Sequence, residues 1–346
     1  MNRLPFLLLP ALFYLAIGGG LARLGLALPT TLGAMAWHGF VMIGGVFGGL
    51  IAVERAVAAK VPWAWLAPLA AFVGAALLLA NRVEGAWAIT LASALLTAVT
   101  LLLWRKQPQP FTLLLAVAAA CWLIGNGLML AVTDTNAVLG WWVAFLVLTI
   151  AAERLELSRL MPKPRRAEAA FVAITLAMLA GLALAQAWLI AATQLLLAVW
   201  LLRFDVARHT IKGRGLPRYI AVCLLSGYGW LVIGAAALWA NGNYLGGRFD
   251  DLALHAVLVG FVMAMVFGHA AIILPAVTGW RLRYHALFYL PLLLLQLGLL
   301  CRLAGTLAGF HAAIVTGAGL NGIALLVFIA TAIARVQRGR PRTAFQ

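Results

Sequence analysis

Apolar residues run along this chain in blocks of about 17–25, the length a helix needs to cross a hydrocarbon layer about 30 Å thick. Twelve blocks are legible, at about 4–22, 35–58, 63–80, 85–104, 111–132, 137–158, 168–187, 188–204, 217–240, 252–278, 285–304 and 312–335. They predict an all-α, polytopic transmembrane helix bundle of about 12 helices, with residues 1–346 as a single integral membrane domain. No charge separates the seventh block from the eighth, so a short turn near Gln186 has to divide them. The first block starts almost directly after Arg3 and lacks a small-residue cleavage site, which predicts that it is retained as a helix. The longest connection, about a dozen residues around 205–216, is too short to fold separately. Function is therefore expected inside the bundle.

Composition agrees with the pattern. Of 346 residues, 65% are hydrophobic and 10% charged, and the mean hydropathy is +1.04, outside the usual range of soluble domains. The net charge of +16 raises the question of a nucleic-acid partner, and the placement of the cations answers it. All but Arg23, Arg82, Arg248 and Arg302 fall at the N-terminus, in the even-numbered connections or in the tail, among them Arg3, Arg55, Lys106, Lys163, Arg338, Arg340 and Arg342. The positive-inside rule then puts both termini in the cytoplasm of a bacterial-type inner membrane. The expected partner of this charge is the lipid bilayer, anionic headgroups included, and not nucleic acid.

That topology assigns depths to the six histidines. His38 opens the second helix, His255 the tenth and His311 the twelfth, all near the outer face. His269 follows His255 by 14 residues, about 21 Å deeper at about 1.5 Å per residue. It is too far away to share a centre with the first group. His209 and His285 fall in or beside basic connections, where solvated side chains are the rule. Imidazoles at matching depth on two helices suit axial ligation of a haem iron from opposite faces, which makes a low-spin centre for electron transfer. The competing reading of each is an interhelical hydrogen bond. The run after His38, HGFVMIGGVFGG, contains Gly39, Gly44, Gly45, Gly48 and Gly49, which would admit a flat macrocycle or close helix packing through overlapping GxxxG patterns.

Twelve helices with histidines on the second and tenth resemble the haem-copper oxidase subunit I superfamily, whose low-spin haem ligands lie on those helices. The segments WHGFVMIGGVFGGLIAVERAV and LHAVLVGFVMAMVFGHAAIILPAVTG more specifically resemble the NnrS family, membrane proteins of bacterial nitric oxide response associated with haem and copper. The resemblance implies that His38 and His255 bind haem and that the protein meets nitric oxide or a redox partner. The chain departs from both families in instructive ways. Its sixth block has no histidine for copper, and its tenth has no second histidine two residues from His255. An oxygen-reducing binuclear centre is therefore not expected. Val41 and Met42 stand where the NnrS pattern has a further histidine followed by glutamate, which weakens the case for copper.

Other residues define secondary candidates. His311 is an alternative partner for His38, and Arg302 and Arg248 are outer cations able to pair with haem propionates. His269, six residues before the kinking Pro275, is a candidate metal or haem ligand, proton carrier or packed polar residue. Met35, Met42 and Met263 are softer ligands, although methionine in an apolar helix usually packs. The second block ends LIAVERAV and the sixth TIAAERLEL, which puts Glu54 and Glu153 at one depth with a fourfold helix period. They could begin a proton path or form helix-end ion pairs. Cys121, Cys223 and Cys301 stand singly, without a C-x-x-C-H attachment motif. Any haem would be held noncovalently, as haem b. No phosphate loop, nucleophile elbow or zinc-protease motif occurs. A multi-helix transporter without haem is the alternative reading, and a noncatalytic scaffold a third. Asn126, Thr149, Gln194 and Gln296, scattered through the core, do not converge as a transport site would.

Overall fold

The computed structural model describes residues 4–131, 135–161 and 164–337. Arg3, Lys163, Arg338, Arg340 and Arg342 lie outside the described residues. Among the described residues twelve main helices carry the fold: α1 Leu4–Arg23, α2 Leu32–Ala59, α3 Pro62–Leu78, α4 Arg82–Lys106, α5 Pro110–Ala131 and α6 Thr135–Leu157. The second half adds α7 Arg165–Ala183, α8 Ala187–Phe204, α9 Gly215–Asn241, α10 Asp250–Pro275, α11 Ala286–Ala308 and α12 His311–Arg335. Ten of them are long and apolar enough to cross a membrane, while Leu9–Arg23 and Pro62–Leu78 are shorter apolar helices. A single turn, Ala207–Thr210, sits between α8 and α9. Arg281–Leu282 pairs antiparallel with Val336–Gln337. The fold is all-α, with the length and composition of a multi-pass membrane protein.

Local chemistry sets the helix ends. The Thr31 side chain accepts from the Ala34 N–H at 3.1 Å and starts α2, as the Asn81 side chain accepts from Val83 and starts α4. Gly242 and Gly309 close α9 and α11 in the left-handed region, with φ of 75° and 69°. The unpunctuated junction of the seventh and eighth blocks is a turn over Leu184–Gln186. There Ala185 takes φ 52° and the Gln186 N–H reaches back to the Gly181 carbonyl at 2.8 Å.

Sequential helices pack as neighbours, and α1 closes onto both α2 and α12. In lipid the apolar effect does not hold helices together, so close contact and interhelical hydrogen bonds must. The glycines of α2 serve that contact. A Cβ at Gly44 would meet Ile89, at Gly45 Ala75, at Gly48 Trp122 and at Gly49 Phe72, so α3, α4 and α5 press on the α2 backbone. Of the two uses open to these glycines, close helix packing is the one these neighbours display. Near His38 only Gly39 has open space around it. The helices four apart in sequence meet at the centre. Phe40 of α2 stacks on Trp142 of α6 at 4.7 Å, and α10 packs against both helices. Of the apolar stretch of α6, 78% is buried.

Candidate functional site

Both α2 and α10 change from α- to π-helix just after their histidine, at Val41–Phe47 and Ala256–Met263. A π segment inserts an extra residue per turn and rotates what precedes it, and such segments recur at functional sites. Sequence periodicity carried no sign of them.

The His38 ring lies against α1. Its Nδ1–H donates to the Ala16 carbonyl at 2.6 Å, and Gly20 provides the clearance, since a Cβ there would fall 2.6 Å from His38 Cε1. His255 Nδ1–H donates to the Asp251 carbonyl at 2.9 Å and lies 3.0 Å from Asp251 Oδ1. A carbonyl has no proton to give, so each Nδ1 carries a hydrogen, and in the neutral ring Nε2 then presents its lone pair. No described residue hydrogen-bonds Nε2 of either ring. This is the arrangement of a ligating histidine, with Nδ1 fixed by a second group and Nε2 free. Both side chains are half-buried. The charges of His255, Arg23 and Arg302 all reach His38, so the pair shares one neighbourhood with two cations.

Asp251 is held in turn. Arg302, buried on α11, donates Nη1 to Asp251 Oδ1 at 2.5 Å and Nε to Asn321 Oδ1 of α12 at 3.1 Å. Asn321 Nδ2 donates to the Leu295 carbonyl at 2.9 Å. Sequence reasoning missed Asp251, Asn321 and Arg23. The four-residue spacing of Asp251 and His255, one helical turn, was a readable signal for the first.

The remaining candidates occupy other places. His311 is exposed at the start of α12, and His255, not His311, acts on His38. Arg248 donates to the Thr306 and Leu307 carbonyls at 3.1 and 2.5 Å. It caps α11, with its donors directed at those carbonyls. His269 is buried on α10, its Nδ1–H on the Met265 carbonyl at 2.7 Å. Glu54 and Glu153 meet on the basic face, both bound by Arg55 Nη2, at 2.5 and 3.3 Å. Among the described residues no three His, Cys, Asp or Glu side chains group as a metal site. The scattered core amides are locked in pairs. Asn126 joins Ser93 and Trp142, Gln194 meets Tyr244, and Gln296 joins Trp230 and Ser226. Thr149 bonds back to its own helix at Phe145. Gln194 Oε1 alone of these is buried without a hydrogen-bond partner among the described residues.

The donor chemistry of His38 and His255 fits an axial pair: two imidazoles on different helices, each with Nδ1 held by a backbone carbonyl and Nε2 not bonded by any described residue. The chain belongs to the family described as a domain of unknown function, DUF8744, whose model matches residues 3–337. No curated protein and no solved structure matches it.

Proposed function

We propose that this member of the DUF8744 family binds haem b noncovalently between His38 and His255 and serves electron transfer or a nitric oxide response at the bacterial inner membrane. When bound, the haem supplies a one-electron couple and an iron that can meet a diatomic gas. One observation carries the reading: both imidazoles spend Nδ1–H on a carbonyl, keep Nε2 free and lie in one neighbourhood, on helices that turn π directly afterwards. Asp251 orients His255 and raises its donor strength through the hydrogen bond to Nδ1. Arg302 keeps Asp251 in place, and Arg23 and Arg302 bring positive charge to the level where haem carboxylates need pairing. In this reading the basic face is cytoplasmic and the pair lies near the outer face.

The test is a reduced-minus-oxidised visible spectrum of the protein in mild detergent, beside His38→Ala and His255→Ala. A sharp low-spin band in the parent, absent from both variants, is expected. A colourless parent produced with ample haem overturns the reading and leaves a haem-free permease. A band that survives either substitution overturns the assigned ligands.

A further inference from the structure

A cleft of about 560 Å³ opens on the basic face between the ends of α2, α4, α5 and α6. Small-molecule sites span about 300–1,000 Å³, so the cleft is large enough for a ligand. Its lining is graded. At the rim stand Lys106, Gln107 and Glu156, and deeper in the bundle lie Thr100, Leu103 and Leu115. Along α4, Thr100 is about 9 Å further from the helix end than Lys106, at about 1.5 Å per residue. The Thr100 hydroxyl donates to the Leu96 and Thr97 carbonyls at 3.0 and 2.9 Å, so the floor presents apolar surface. A small polar solute would leave that floor wet, and a plain hydrocarbon would meet charge at the rim. The lining suits an amphiphile with its head outward.

Charge narrows the choice of head. Three ionisable side chains line the cleft, Arg55, Lys106 and Glu156. Arg55 is already engaged, its Nη2 bound to Glu54 and Glu153. Lys106 Nζ donates to the Ala59 carbonyl at the end of α2 at 3.1 Å. That bond uses one of three N–H groups and holds the ammonium beside the cleft. Glu156 lies 3.7 Å from Arg159, with the two side chains 44% and 48% exposed, a pair that water screens. Arg159 is itself spread over the Phe111 ring at 4.5 Å. One cation and one carboxylate therefore face the rim from α4 and α6. The complementary head carries an anion and a cation together, as a phosphate diester bearing a primary amine does. In a helix bundle with the length and composition of a multi-pass membrane protein, the amphiphile with such a head is a phospholipid.

We propose that this cleft binds a phospholipid with an amine-bearing, zwitterionic headgroup, its phosphate on Lys106, its ammonium on Glu156 and the start of its acyl chains against Leu103 and Leu115. The site rests on the membrane reading of the fold and is independent of haem.

Native mass spectrometry of the full-length protein in detergent tests it, with dioleoyl phosphatidylethanolamine and dioleoyl phosphatidylglycerol titrated separately. The parent is expected to take up one phosphatidylethanolamine with a preference of about tenfold over phosphatidylglycerol. Lys106→Gln should weaken binding of both lipids by about tenfold, and Glu156→Gln should abolish the preference between them. Ala58 also lines the cleft and is exposed, so Ala58→Trp fills the space without altering a charge or the core, and should remove binding. The absence of a saturable site, equal binding of the two lipids by the parent, or binding that survives Ala58→Trp overturns the proposal. A third arm adds O-phosphoethanolamine, the head without its chains. No displacement of the lipid is expected at equal concentration, and displacement would make the ligand a free solute and overturn the lipid as occupant.

Discussion

Arg302 grips Asp251 at 2.5 Å, and the same carboxylate oxygen lies 3.0 Å from Nδ1 of His255. A buried guanidinium on α11 thus sets the orientation of an imidazole on α10. Arg302→Met strands the carboxylate, an error that costs about 3–5 kcal/mol in fully buried pairs. Because the Asp251 side chain is 19% exposed, a loss of about 2–3 kcal/mol is expected here. Thermal unfolding in detergent checks it, and Arg302→Met combined with Asp251→Asn should recover part of the loss. Equal stability of the single variant and the parent would remove the pair from the scaffold of the site.

Asp251→Asn has a second consequence if haem sits at His255. An amide is a poorer acceptor than a carboxylate, so the imidazole becomes a weaker donor to iron and the reduction midpoint rises. Haem content should persist in this variant. A spectroelectrochemical titration giving an unchanged midpoint with full haem would show that Asp251 does not tune the ligand.

Gly48→Ala is expected to destabilise by about 1–3 kcal/mol, because the new Cβ would fall 2.6 Å from Trp122 Cη2. Gly39→Ala meets nothing within 4 Å and removes a flexible residue from a helix, so it should be neutral or stabilising by about 0.5–1 kcal/mol. Melting curves of the two, side by side, separate helix packing from mere glycine content. The same loss at both positions would contradict the packing role.

Ala185 holds φ 52° in the turn between α7 and α8, where an L side chain is strained. Ala185→Gly should raise stability by about 0.5–1 kcal/mol, less the added freedom of the unfolded chain. An unchanged or lowered Tm would mean that the entropy term cancels or outweighs the strain.

Asn126, fully buried, accepts from Trp142 Nε1 at 2.9 Å and donates to Ser93 at 3.0 Å. Asn126→Leu leaves the indole N–H without its acceptor and should cost about 1–3 kcal/mol. Trp142→Phe in the same background should return part of it. Full additivity of the two changes would show that the bond contributes nothing.

The ion cluster on the basic face illustrates how far sequence reasoning reaches. The matching ERs of the second and sixth blocks put Glu54 and Glu153 at one depth, because depth follows from counting residues along a helix. That Arg55 would bind Glu153, 98 residues away, as well as its neighbour Glu54 could not be read, since it depends on which helices adjoin. The histidine pair divides in the same way. His38 and His255 were legible as polar residues at matching depth in apolar helices, whereas Ala16 as the acceptor for His38 was not, because a backbone carbonyl leaves no trace in residue identity.

By itself the sequence determined the all-α class and the approximate places of the helices, ten of which are long and apolar enough to cross a membrane while two are shorter than the sequence blocks suggest. The reason is local: the apolar length that spans a bilayer and the caps that end a helix are properties of consecutive residues. Tertiary structure alone decided which helices lie at the centre, where Arg302 and Asn321 steady Asp251, and that Arg248 caps a helix end. It also decided the two π segments, since a shifted hydrogen-bond register costs little locally and is selected by the neighbours packed against it. The nitrogen that each histidine leaves free follows from that packing too, because the acceptor that fixes the ring comes from the surrounding helices or from the local path of the backbone.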